Sequence, residues 1–132
     1  MLEKLVSLIR FSFSENLARE LAKKIRHFYD LYYLAKDEEC AAYIQTPNFK
    51  QNFDKLLAHD KQEFDTPKNW RDKEISQSPL VIHFPLLWNI LRDTYLSELP
   101  KLAFIPIPDE KEIEKIFTII MKRMLQTQIN GG

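Results

Sequence analysis

The sequence predicts an all-α fold: a single bundle of five or six helices that spans residues 1–132 as one domain. Three observations favour this class. Apolar residues recur at intervals of three and four, the period of an amphipathic helix. The two glycines, Gly131 and Gly132, end the sequence, so no Asn-Gly or Asp-Gly pair lies inside the chain where a tight β-hairpin could turn. A chain of 132 residues with 45% hydrophobic residues is long enough to bury one core.

The first third of the chain is predicted to form two helices. Residues 2–11 form a short helix with its apolar side chains on one side. Ser14 then caps a long second helix through its side-chain oxygen. The apolar positions of that helix are Leu17, Leu21, Ile25, Phe28 and Tyr32.

Two further helices follow in the middle of the chain. The acidic run "KDEEC" starts a short helix that ends near Ile44. In the stretch "TPNF", Thr46 has the residue type of an N-cap and Pro47 that of a first helical residue. The pattern predicts a third long helix that begins there and carries apolar residues as far as Phe64.

The last third is predicted to contain two helices separated by proline-rich connections. Residues 65–80 read as a polar loop that Trp70 anchors to the core. A helix follows near residues 84–98, and "PKLAFIPIP" is expected to be an extended connector. A capping box that begins at Asp109 opens the final helix, which frays at "NGG".

Composition excludes several classes of protein. Without internal glycines, the chain has no phosphate-binding P-loop and no dinucleotide fingerprint. No stretch is apolar for long enough to cross a membrane, and "MLEKLVSLIR" is not a secretory signal, so a cytoplasmic location is expected. The single cysteine, Cys40, is expected to be a small buried apolar residue.

Charge is unevenly distributed although the formal net charge is zero. Residues 1–36 contain seven Lys and Arg against four Asp and Glu. Such a basic segment either attracts an anion or forms a solvated helix face.

The stretch "KKIRHFYDLYYL", residues 23–34, is the densest mixture of charged and aromatic side chains. On a helix, Arg26, Asp30 and Tyr33 lie on one stripe beside the core stripe. They form either a surface ion pair or part of a site. Likewise, the tyrosines at positions 29, 32 and 33 either pack in the core or stack on a nucleobase.

Other candidate groups are sparse. The three histidines have no zinc-ligand spacing. His59 and Asp60 would make an acid–base couple, but adjacent residues of a helix point in different directions, so we expect them not to interact.

The stretch "EKLVSLIRFSFSENLARELAKKIRHFYDLYYL", residues 3–34, resembles AbiEii-type nucleotidyltransferases, the toxins of abortive-infection toxin–antitoxin systems in bacteria. That family has a helix of the form E-K-L-x-x-L followed by a helix of the form R-[D/H]-x-x-D-L-Y. The first form is matched from Glu3 to Leu8, and the second from Arg26 to Tyr32. The remainder is similar to the helical C-terminal region of many members.

This resemblance implies roles for three side chains. Lys4 would contact the nucleotide phosphates and Asp30 would lie at the catalytic centre. Arg26 would orient Asp30 or contact phosphate. His27 stands where an acidic residue is commoner, which brings the activity of this branch into question.

The resemblance covers only the helical portion of the enzyme. Members also carry a glycine-serine turn and a strand-borne D-x-D pair that holds two metal ions, and this chain has neither. The chain alone is therefore expected to contain no metal ligands and no cofactor and to be inactive. Mg²⁺ and a nucleoside triphosphate are expected only for the complete enzyme. An antitoxin and an RNA acceptor are the implied partners.

Two alternatives remain open at this point. The chain is either such a helical domain or a free-standing interaction module, antitoxin-binding or self-associating, with no catalytic activity. A degenerate remnant without activity is a third reading.

Overall fold

Eight α-helices make up most of the computed structural model, which describes residues 1–102 and 108–125 of the chain. The helices are α1 Leu2–Phe11, α2 Leu17–Ala22, α3 Ile25–Lys36, α4 Glu38–Ile44, α5 Pro47–Glu63, α6 Pro79–Ile82, α7 Phe84–Leu102 and α8 Glu110–Leu125. Six of them have seven or more residues, and the described residues contain no β-strand. The predicted all-α class is confirmed. None of the helices in these two ranges is long and apolar enough to cross a membrane.

Aromatic rings from three helices form the centre of the core. Phe28 of α3 contacts Trp88 of α7 and Phe117 of α8, with ring centroids 5.4 and 5.0 Å apart. Phe84 packs on Phe117 at 4.6 Å. All four side chains are buried. Tilted aromatic pairs at these distances each stabilise the fold by about 0.5–1.5 kcal/mol beyond simple burial. The face of α3 that carries Phe28 is therefore fixed against α7 and α8.

Helix α1 has the predicted bounds and packs against α5 and α3. Its buried side chains follow the helical period and are Leu5, Val6, Leu8 and Ile9. Lys4 lies beside this apolar stripe and is half-buried. The packing of α1 thus places one lysine next to α3.

The prediction of one long second helix is wrong, because the structure has two helices, α2 and α3, in its place. Lys24 lies outside the helical region at φ −109°, ψ 21°, and the chain begins α3 at Ile25. Helix α2 packs on α7 and α1, whereas α3 packs on α4, α7 and α8. The apolar spacing continues without interruption through Lys24. The position of the break is therefore set by the different packing partners of α2 and α3 and not by the local sequence. Ser14 does not cap the helix, since α2 begins after Asn16.

The short helix and the third long helix begin as predicted. The Asp37 carboxylate accepts a hydrogen bond from the Cys40 backbone N–H at 3.1 Å, which caps α4. Thr46 is the N-cap of α5 and Pro47 is its first residue. Arg123 of α8 donates to the carbonyls of Ile44 and Gln45 at 3.1 and 2.9 Å, and so satisfies the C-terminal end of α4.

Residues 65–80 are more ordered than the predicted loop. They contain the 3₁₀ turns Trp70–Asp72 and Ile75–Gln77 and the start of α6. Trp70 anchors the segment as predicted: it is fully buried, and its indole N–H donates to the Phe64 carbonyl at 2.8 Å.

The predicted extended connector from residue 100 is wrong over its first three residues. Helix α7 packs on the core through Trp88, Leu91 and Tyr95 and continues through Pro100 to Leu102, where proline costs one backbone hydrogen bond but does not end the helix. Residues 103–107 and the predicted fray at "NGG" lie outside the described residues. Trp88 and Tyr95 of α7 donate to the carbonyls of Glu110 and Pro108 at 2.9 and 2.5 Å, which fixes the start of α8.

Candidate functional site

Lys4 and Asp30 meet although they belong to different helices. Lys4 Nζ of α1 lies 3.2 Å from Asp30 Oδ2 of α3. The side chains are 34% and 24% exposed, so the pair is neither buried nor freely solvated. The structure thus brings together the two residues that the resemblance assigned to the centre of a site.

Arg26 is a second cation beside the same carboxylate. Its Nε lies 3.7 Å from Asp30 Oδ1, one helical turn away on α3. The guanidinium is 56% exposed, so this is the looser of the two pairs. Asp30 consequently has a cation near each of its oxygens, and of these Lys4 lines a groove that Arg26 does not line.

That groove is an open cleft of about 640 Å³ bordered by α1, α3 and α4. Its floor is one face of α3, because Asp30, Tyr33 and Leu34 follow the i, i+3, i+4 spacing, and Asp37 continues it at the junction of α3 and α4. Lys4 and Cys40 complete its lining. The stripe predicted from the sequence placed Tyr33 with Asp30, but it missed Leu34 and Asp37. The helical spacing counted from Asp30 would have identified them.

Cys40 is not the buried apolar residue that the sequence predicted. The thiol is half-buried and lies in the cleft wall. Partial burial, followed by the neighbouring Asp37 carboxylate, raises the pKa of the Cys40 thiol. The thiol therefore stays protonated near neutral pH and is a poor nucleophile.

The tyrosines of α3 form a connected cluster whose members differ in burial. Tyr33 makes edge-to-face contacts with Tyr29 at 4.9 Å and with Tyr32 at 5.3 Å. Tyr29 and Tyr32 pack against the core, whereas Tyr33 is 38% exposed and lines the cleft. Partial burial and the two neighbouring phenols raise the pKa of Tyr33. Tyr29 and Tyr32 thus follow the core-packing alternative, and Tyr33 presents an exposed ring in the cleft.

The pKa of His27 depends on the charged groups of this region. Burial lowers its pKa, the ammonium groups of Lys4 and Lys24 lower it further, and Asp30 opposes them. The imidazole is therefore neutral at physiological pH. A neutral imidazole beside Lys4 does not replace the negative charge of the acidic residue that is commoner at this position in the family it resembles.

The remaining candidates do not form a comparable site. His59 Nδ1 and Asp60 Oδ1 lie 3.1 Å apart, so the expectation that they would not interact is wrong. Both belong to the last turns of α5, where the side chains bend towards each other in solvent. Within the described residues, no group of three or more His, Cys, Asp and Glu side chains is placed to hold a metal ion.

Comparison with known proteins gives one match that covers most of the chain. Residues 1–121 match the family described as "Nucleotidyl transferase AbiEii toxin, Type IV TA system". No curated protein and no solved structure shows a significant match. The matched range includes α1, α3 and the whole cleft.

Proposed function

Because this chain belongs to the family of AbiEii nucleotidyltransferase toxins, we propose that its helices form part of a nucleotidyl-transfer centre. In this proposal, Lys4 contacts the nucleotide phosphates, Asp30 assists the reacting groups, and Arg26 orients Asp30 or contacts phosphate. An RNA or another hydroxyl-bearing molecule is the acceptor. The observation that carries the proposal is the 3.2 Å contact between Lys4 Nζ and Asp30 Oδ2 in the wall of an open cleft.

The two side chains are suited to these roles by their chemistry. A lysine ammonium is a mobile point charge with three donors, so Lys4 can keep its contact with Asp30 and still donate to a phosphate oxygen. A carboxylate accepts several hydrogen bonds, so Asp30 can hold Lys4 and also accept the proton of an incoming hydroxyl. Their partial exposure leaves both groups accessible from the cleft.

The described residues do not by themselves suit the metal ions that the family chemistry requires. The cleft offers the carboxylates of Asp30 and Asp37, and Asp37 also caps α4. A two-metal site needs further oxygen ligands at fixed positions. We therefore propose that the metal-binding half of the centre comes from outside residues 1–132. It would carry the glycine-serine turn and the paired aspartates.

This division of the centre predicts how the isolated chain behaves. It should show no micromolar, Mg²⁺-dependent binding of a nucleoside triphosphate in isothermal titration, and it should transfer no nucleotide. The reading frame upstream of Met1, or a neighbouring gene, should encode the missing half. If neither encodes a glycine-serine turn followed by D-x-D, the proposed centre would have no metal-binding half, and the proposal would be refuted.

Reconstitution gives the direct test of the residue roles. With the second half supplied, Lys4→Ala and Asp30→Asn should each lower nucleotidyl transfer by about a hundredfold or more. The matched controls are Lys50→Ala and Asp54→Asn, since these residues form a similar ion pair at 3.0 Å on α5, outside the cleft. Transfer at an undiminished rate by both cleft variants would refute their roles.

The family description also supports an antitoxin as the functional partner of the complete protein. We propose that the antitoxin counteracts the activity of the complete toxin.

A second candidate function, a self-associating module without catalysis, is favoured by one feature of α7. Leu86 and Ile90 lie one turn apart on its outer side and are 65% and 61% exposed. Exposed aliphatic side chains in a row often mark a protein contact. Light scattering after gel filtration at several concentrations distinguishes the candidates. A mass that doubles with concentration, and that Leu86→Asp returns to the monomer, would favour the module.

A further inference from the structure

The floor of the cleft changes character along α3. Its first residue, Asp30, lies beside Lys4 and Arg26, and the next two, Tyr33 and Leu34, are an aromatic and an aliphatic side chain. With a rise of 1.5 Å per residue, these two lie about 5–6 Å further along the helix axis. Along the cleft, the Lys4–Asp30 pair is followed by an aromatic and an aliphatic side chain and then by Asp37. The Lys4 ammonium and the Tyr33 ring thus stand in the order of the phosphate and the base of a nucleotide.

Tyr33 differs from its two tyrosine neighbours in a way that core packing does not explain. Tyr29 and Tyr32 pack on the hydrophobic core, whereas Tyr33 is 38% exposed. Its ring is nevertheless held in place, because it meets both neighbours edge-to-face. An aromatic ring that is already oriented loses little side-chain freedom when a ligand stacks on it.

We propose that Tyr33 is the platform on which the nucleobase of the bound nucleotide stacks, with the polyphosphate directed towards Lys4. This inference rests on the proposed function and adds a specificity-determining residue to it. Every base has a π-face, so the platform accepts all four bases with similar affinity. Discrimination between nucleotides would then come from groups outside this ring.

The experiment separates the base from the phosphates. The ¹⁵N-labelled chain is titrated in the millimolar range with inorganic tripolyphosphate, ATP and CTP, and amide shifts of α1 and α3 give the apparent Kd. We expect ATP and CTP to bind at least about fivefold more tightly than tripolyphosphate. Tyr33→Leu should remove that advantage and leave tripolyphosphate binding unchanged, and Tyr33→Phe should keep it. Phe64→Leu is the matched control, because Phe64 is also exposed, at 42%, and does not line the cleft.

Each outcome has a distinct meaning. Equal affinity for tripolyphosphate and both nucleotides, with no effect of Tyr33→Leu, overturns the platform and leaves the phosphate role of Lys4 intact, provided that Lys4→Ala abolishes binding. No shift at α1 or α3 with any of the three probes overturns both the platform and the proposed phosphate contact. Loss of tripolyphosphate binding in Tyr33→Leu also contradicts the platform, since the ring would then be needed to hold Lys4 in position for phosphate.

Discussion

Asp30 has two cationic neighbours, yet neither interaction is buried. The contact with Lys4 joins two helices and the contact with Arg26 lies within α3. Ion pairs that remain in contact with water contribute little to stability, because solvent screens them and the side chains lose freedom. The contact between Lys4 and Asp30 therefore adds little to the stability of the fold.

Changing Asp30 to Asn should consequently leave folding almost unaffected. We expect the free energy of unfolding in urea to fall by about 1 kcal/mol or less. Asp54→Asn, in the exposed pair on α5, should give a similar value. A loss of several kcal/mol specific to Asp30→Asn would show that this carboxylate belongs to a structural network.

His27 makes folding stability depend on pH in a defined direction. Its pKa is lowered in the folded state, so the unfolded chain takes up the proton at a higher pH than the folded chain does. The stabilising contribution is complete above the ordinary histidine pKa of about 6.5 and is lost as pH falls through the folded value. His27→Gln should flatten this slope in urea unfolding between about pH 7 and pH 5.

The same residue reports the charge of the cleft. In an NMR titration, the pKa of His27 should rise in Lys4→Met, which removes a positive neighbour, and fall in Asp30→Asn, which removes a negative one. An unchanged pKa in both variants would show that burial and Lys24 set the value without the Lys4–Asp30 pair.

Among the elements of the fold, the segment after α5 is tied to α1 by one side chain. Arg10 donates to the carbonyl and the hydroxyl of Thr66 at 2.6 and 2.9 Å. Its guanidinium also lies 4.2 Å from the centre of the Phe64 ring and 5.8 Å from that of Trp70. Two charge-assisted hydrogen bonds and stacked rings thus tie residues 64–70 to α1.

Replacing Arg10 with Met should release this segment. We expect a loss of about 1–3 kcal/mol in urea unfolding, with faster amide exchange confined to residues 64–72. Arg10→Lys should recover only part of the stability, because an ammonium lacks the planar pair of donors. Unchanged exchange in that segment would contradict the anchoring role.

The elements also show which features a sequence can predict. The bounds of α1 and the starts of α4 and α5 follow from apolar periodicity and from the residue types of Asp37, Thr46 and Pro47. The break at Lys24 has no such signal, because it depends on which neighbours α2 and α3 pack against. The extension of α7 through Pro100 likewise has no signal in the local sequence, since proline is unfavourable inside a helix.

The candidate site was accessible to sequence reasoning only in part. The spacing on α3 groups Arg26 with Asp30, but no spacing relates Lys4 of another helix to them. Family resemblance supplied that pairing, and the cleft gives it a geometry. The contact between His59 and Asp60 was missed because side-chain bending at an exposed helix surface is not fixed by backbone direction.

In the whole molecule, α3 connects the core to the cleft, since Phe28 faces the core rings and Asp30 faces outward. The site therefore rests on the packing of α3 between α7 and α8.

Phe28→Ala should test this dependence. Removing a fully buried ring from the aromatic centre should destabilise the fold by about 3–5 kcal/mol in urea unfolding. Phe28→Leu should cost less, because it leaves a smaller cavity. A loss below 1 kcal/mol for Phe28→Ala would show that the centre of the core lies elsewhere.

The two tryptophans give the protein a pair of built-in optical reporters. Trp88 lies at the aromatic centre and Trp70 lies in the segment that Arg10 holds, and both indoles are shielded from water. The fluorescence of a variant that retains only one tryptophan would come from a single known position in the structure. Fluorescence from Trp70 alone would follow detachment of the peripheral segment, and fluorescence from Trp88 alone would follow melting of the interior. Neither indole lines the cleft, so both signals would remain usable while nucleotides are present.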